Sequence, residues 1–202
     1  MFLFLAACTG GPGDVVPLAG TITADSGQVA EVRAGTAFAV TTAGKAAILV
    51  SPNPDSTCAD AAGFLASGDE DYNPGVVSGE GVCNLYIRLD DYDGTELTLT
   101  DDVLATLALN CAMDTGEWRF EERKDGYEGF FYSGPFWVGS PDAYTLTVSG
   151  GDGEDLSLDL SMDSYYGRFP YDADEPESDL AAGAVAGSAT ATWCPDMGPA
   201  LN

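Results

Sequence analysis

Two stretches late in the chain constrain its fold more than any other feature. Tyr144-Thr145-Leu146-Thr147-Val148 and Leu156-Ser157-Leu158-Asp159-Leu160-Ser161-Met162 alternate apolar and polar residues without a break. A period of two puts every apolar side chain on one face of a strand and would scatter them around a helix. Between them stands Gly150-Gly151-Asp152-Gly153, a turn sequence that reads the pair as a β-hairpin. A sheet with one greasy face must bury it against a second layer.

Further strands are predicted to supply that layer. Residues 35–40 and 45–50 form near-continuous apolar runs around a turn at residues 42–44 and read as a second hairpin. Residues 83–89 place Leu85, Ile87 and Leu89 on one face. Asp93-Gly94 then signals a turn, with residues 96–100 returning beside them. Residues 103–113 fit helix and strand alike; Leu107, Leu109, Cys111 and Met113 favour strand. Residues 118–121 and 126–138 read as aromatic strands, and residues 184–195, small and threonine-rich, as the last one. Ser56 and Thr57 offer a cap for one helix, ended near Gly68. Residues 69–75 and 172–179 read as loops. The expectation is an all-β fold, an antiparallel β-sandwich or partly closed barrel with one short helix near residues 57–67. At 202 residues it reads as a single domain over 18–196, with 197–202 as a tail.

The five cysteines divide one plus four. Leu5-Ala6-Ala7-Cys8 closes an apolar start and is followed by Thr9-Gly10-Gly11-Pro12-Gly13-Asp14. An aliphatic residue, two small ones and a cysteine resemble the lipobox of bacterial lipoproteins. That resemblance implies that Cys8 receives a diacylglyceryl group and becomes the first mature residue, so residues 1–7 are a signal-peptide remnant. Residues 8–17 would then be a lipidated flexible tether. Thr9 after the cysteine implies sorting to the outer membrane, with the domain facing periplasm or cell surface. The apolar run is short and no Lys or Arg precedes it, so it reads as the tail end of a signal. Cys58, Cys83, Cys111 and Cys194 remain, an even set that suits two disulfides in an exported protein. Three connectivities are open. Cys58–Cys83 with Cys111–Cys194 is preferred, because the first closes a local loop and the second ties the middle of the domain to its last strand.

Charge narrows the partners. Thirty-three acidic residues face seven basic ones, for a net charge of -26. Such a chain repels nucleic acid and anionic headgroups, so membrane attachment would run through the N-terminal lipid. There is no histidine, which removes Ser-His and Cys-His catalysis and the commonest transition-metal ligand.

Two constellations could carry binding chemistry. Residues 126–137 hold six aromatics, and with Trp118 they could form a stacking platform for sugar rings. The candidate ligand residues there are Trp118, Glu128, Tyr132 and Trp137, although aromatics serve equally to fill a core. The loops carrying Asp91 and Asp93, and Asp152 and Asp155, supply the hard oxygens calcium prefers, though neither has EF-hand spacing. No catalytic residue is selected, since among 33 acids some pair always suits glycoside hydrolysis. The expected role is a non-enzymatic, lipid-anchored envelope protein with a structural or binding function. The alternatives are a carbohydrate-binding or carbohydrate-active protein using the aromatic patch, and a calcium-dependent adhesion module.

Overall fold

The computed structural model describes residues 16–24, 29–42, 44–66, 82–99, 105–113, 116–122, 136–138, 141–169 and 177–201. The late hairpin forms as expected, longer at its open end. β10 (Pro141–Ser149) and β11 (Leu156–Phe169) pair antiparallel, with Leu146 opposite Leu160 and Val148 opposite Leu158. Tyr144, Leu146, Val148, Leu156, Leu158, Leu160 and Met162 are all buried, while Thr145, Ser157, Asp159 and Ser161 between them face solvent. The early hairpin forms too: β3 (Thr36–Thr42) pairs antiparallel with β4 (Lys45–Ser51).

The other strands are β1 (Ala19–Ala24), β2 (Val29–Arg33), β5 (Val82–Leu89), β6 (Leu97–Leu99), β7 (Ala105–Met113), β8 (Gly116–Glu122), β9 (Phe136–Val138) and β12 (Glu177–Trp193). They join into one sheet in the order β1-β2-β5-β4-β3-β12-β11-β10-β6. A further pairing of β1 with β12 closes the first six of these strands into a ring. The fold is therefore all-β with a partly closed sheet. Two contacts depart from the antiparallel expectation, for β2 meets β5 and β12 meets β3 in parallel.

Ring closure depends on β12 changing partners. Ala181–Ala186 pair with β1, and Thr192 and Trp193 with β3. Between them Gly187 has φ of 126°, and a Cβ there would lie 2.5 Å from the Pro17 carbonyl oxygen. Only glycine tolerates both the conformation and the approach. Ser188 then donates its N–H to Val16 and accepts one from Leu18, which seats the start of β1 on the bend.

The main core lies inside this sheet. Ala37, Ala39, Ile48, Val50, Leu85, Ile87 and Leu89 from β3, β4 and β5 pack with the buried rows of β10 and β11. The intervening residues of β3 and β4 are buried as well. Phe38, Val40, Ala47 and Leu49 point the other way, into a second cluster with Ala61, Cys194, Met197 and Leu201. Its cover is α1 (Cys58–Ala66) and a 3₁₀ helix, Pro195–Leu201. Helix α1 is the expected one. Thr57 caps it, its hydroxyl accepting the Asp60 N–H at 3.3 Å while the Asp60 carboxylate accepts the Thr57 N–H at 2.8 Å.

Several expectations need correction. Asp93-Gly94 does not turn the chain back beside β5, whose neighbours are β4, β7 and β2. Instead β6 crosses to the far side and pairs with β10, Leu99 opposite Leu146. The acidic run 172–179 is strand from Glu177 onward. Residues 197–201 do not trail from the domain, since Met197 and Leu201 are fully buried in the second cluster. The ambiguous segment is strand β7. Residues 1–15, with the lipobox and Cys8, lie outside the described residues, as do Glu128 and Tyr132.

The preferred disulfide pairing is also overturned. Cys58 is bonded to Cys194, 136 residues away, with 5.6 Å between their Cα atoms. Proximity in sequence was a poor guide because β3 and β4 carry α1 on the same outer face that β12 reaches at its end. Cys194 donates its N–H to Ala39 of β3, which sets its sulfur beside the first residue of α1. Cys83 is disulfide-bonded too, and the residue opposite it across β5 and β7 is Cys111.

Candidate functional site: the loop end of the barrel

Three connections meet at one end of the sheet: the β3–β4 turn, the loop from β5 to β6, and the β10–β11 turn. Tyr92 ties them together. It is buried, its N–H bonds to the Gly44 carbonyl at 2.7 Å, and its hydroxyl donates to the Gly150 carbonyl at 2.7 Å. Burial raises the phenol above its ordinary pKa, with a smaller push from Asp93, so it stays a donor. Gly94 lies so close to the β10–β11 turn that a Cβ would stand 3.7 Å from Gly151 and Asp152.

The β10–β11 turn is anchored on both sides. Thr41, at the end of β3, donates its hydroxyl to Asp152 at 2.7 Å and accepts the Gly153 N–H at 3.2 Å. Asp155 accepts the main-chain N–H of Trp193 at 2.8 Å. The Trp193 indole rests near Gly153, where a Cβ would stand 3.9 Å from the ring, and it keeps 39% exposure. Among the residues whose burial is described, Trp193 is an exposed large aromatic. Its sequence signal was slight: a lone tryptophan ending a small-residue strand reads first as core.

The four candidate calcium ligands are all at this end, and all are exposed. Each carboxylate with a described hydrogen bond holds a group of the protein itself, Asp93 within its own loop and Asp152 and Asp155 on neighbouring strands. Asp93 accepts the Thr95 hydroxyl at 2.6 Å and the Thr95 N–H at 3.0 Å, and these bonds hold its carboxyl below the usual range. Asp152 and Asp155 serve Thr41 and Trp193 as described. Among the described residues no three acidic or cysteine side chains converge to hold a metal ion. The site thus offers an exposed indole, hydrogen-bond acceptors and negative charge on a stiff frame. That equipment is suited to binding.

Of the aromatic candidates, the two tryptophans lie in described strands. Trp118 lies in β8 opposite Cys111, and Trp137 in β9 opposite Arg168. β8 pairs with β7 and β9 with β11, yet β8 and β9 also lie close to each other, so the two tryptophans stand on strands that are neighbours in space. Compared with protein-family models, curated proteins and solved structures, the chain matches none.

Proposed function

We propose that this protein is an exported, lipid-anchored envelope protein whose β-domain acts as a structural or binding module. The observation that carries the reading is the cysteine arithmetic. Cys58, Cys83 and Cys194 are all disulfide-bonded, and Cys111 stands opposite Cys83. Such oxidation suits an exported protein and is rare in a reducing cytosol. It leaves Cys8 as the odd thiol, in a sequence context similar to a lipobox. No described helix is long and apolar enough to cross a membrane, so a lipid on Cys8 would supply the attachment. The acidic surface makes direct docking on anionic headgroups unfavourable and leaves the same task to the lipid.

The test is phase partitioning in a cloud-point detergent, with the protein expressed from its own locus. The wild type should enter the detergent phase and Cys8→Ser the aqueous phase. Equal partitioning of the two would overturn the proposal. The loop end with Trp193 is the surface we assign to partner binding.

A further inference from the structure

We infer that Cys58–Cys194 is a redox lock on a separable lid, formed by α1 and the Pro195–Leu201 helix over the outer face of β3 and β4. The second cluster is a layer of its own. Phe38, Val40, Ala47 and Leu49 on the sheet meet Ala61, Met197 and Leu201 from the lid, apart from the main core. Hydrogen bonds add to this apolar contact. Lys45 donates to the Leu201 carbonyl at 3.0 Å, and Met197 donates its N–H to the Cys194 carbonyl at 3.2 Å. A seven-residue 3₁₀ helix has poor hydrogen-bond geometry, and runs beyond three or four residues are uncommon. The covalent bond joins the first residue of α1 to the residue just before the 3₁₀ helix, and so ties the two halves of the lid to each other and to the end of β12.

Cys83 and Cys194 are fully buried, whereas Cys58 is half-buried at the margin of the lid. A thiolate of a dithiol reductant can reach the Cys58 sulfur. It forms a mixed disulfide there, and the electron pair of the broken S–S bond leaves on Cys194, which takes a proton. The second thiol of the reductant then displaces Cys58 with loss of its own proton. The reductant ends as a disulfide, two electrons poorer, and the protein gains two thiols. Cys58 is the first residue of α1, so the helix N-terminus favours its thiolate, and Asp60 one turn on partly offsets this. Opening uncovers Phe38, Val40 and Leu49 and leaves the ring of strands closed.

The experiment is hydrogen exchange by mass spectrometry on the full chain, oxidised and after dithiothreitol, with alkylation to identify the released thiols. Cys58 and Cys194 should be alkylated before Cys83. Exchange protection should be lost in Cys58–Ala66 and Pro195–Leu201 and retained in β4 and β11. A dye that binds apolar surface should brighten, and re-oxidation should restore the closed pattern. Cys58→Ser combined with Cys194→Ser should resemble the reduced protein and ignore the reductant. Lys45→Met should leave the oxidised lid protected and open it further once reduced. Unchanged exchange after full reduction of Cys58–Cys194 would overturn the inference. So would simultaneous loss of protection in β4 and β11, which would make the bond a global staple, or alkylation of Cys83 first.

Discussion

The two hairpins of this molecule are built alike and used differently. In β10–β11 the apolar residues alternate with Thr, Ser and Asp, and one face meets water. In β3–β4 the sequence is apolar at nearly every position, and both faces are covered. A strand buried on both sides has no use for alternation, so Ala37-Phe38-Ala39-Val40 and Ala46-Ala47-Ile48-Leu49-Val50 read as continuous runs. The consequence is a demand for a second layer. β10–β11 needs only the opposing sheet, whereas β3–β4 also needs α1 and the Pro195–Leu201 helix, held there by Cys58–Cys194.

The largest expected effects test that asymmetry directly. Leu49 and Ser161 both point away from the main core, Leu49 under the lid and Ser161 into solvent. Leu49→Ala should destabilise the domain by about 2–5 kcal/mol, as truncation of a buried leucine does. Ser161→Ala should fall within about 0.5 kcal/mol of wild type, as exposed substitutions do. Urea unfolding of the two variants measures both. Similar costs would mean that the outer face of β3–β4 is not a packed layer.

A smaller effect is expected where the hairpins are joined. Thr41 ends β3, and its hydroxyl bridges Asp152 and the Gly153 N–H in the β10–β11 turn. Thr41→Val keeps the shape and removes the bridge, and should cost about 1 kcal/mol, the usual net worth of a hydrogen bond. Exchange should quicken at Gly153 in that variant and stay unchanged in α1. Faster exchange in α1 as well would couple the loop end to the lid and blur the distinction between the layers.

The smallest effect is a pH dependence at the neighbouring loop. The Thr95 hydroxyl and N–H hold the Asp93 carboxyl below its ordinary value. A depressed folded-state pKa stabilises above the unfolded value, near 3.9, and that contribution disappears as pH falls through the folded value. Carboxyl carbon titration should place the Asp93 midpoint below that of the same residue in Thr95→Ala. Identical midpoints would remove the brace from this loop.

The legible parts of the fold were those where a local pattern decides the outcome. Alternation identified β10 and β11, the continuous runs identified β3 and β4, and Ser56 and Thr57 marked the start of α1. What failed were inferences that used sequence distance as a guide to spatial distance. Asp93-Gly94 has turn chemistry, yet burial of Tyr92 and its bond to Gly150 draw the chain across the end of the molecule. The cysteine pairing failed for the same reason. Met197 and Leu201 read as a tail in the sequence because two apolar residues in a short segment carry no periodicity. The exposed indole of Trp193 was hidden in a strand-like context. The loop end was half legible: its acidic residues were singled out, but Asp93, Asp152 and Asp155 are engaged with Thr95, Thr41 and Trp193.

On the proposed function four cysteines are structural, with Cys58 bonded to Cys194, and the fifth carries a lipid. Peptide mass mapping under non-reducing conditions, on protein taken from the membrane fraction of its own host, tests this most directly. The predicted result is one cross-linked peptide joining Cys58 to Cys194, a second joining Cys83 to Cys111, and an N-terminal peptide beginning at Cys8 with the mass of a diacylglyceryl group. A disulfide that includes Cys8, or an unmodified Cys8 peptide continuing back through Ala7, would contradict it.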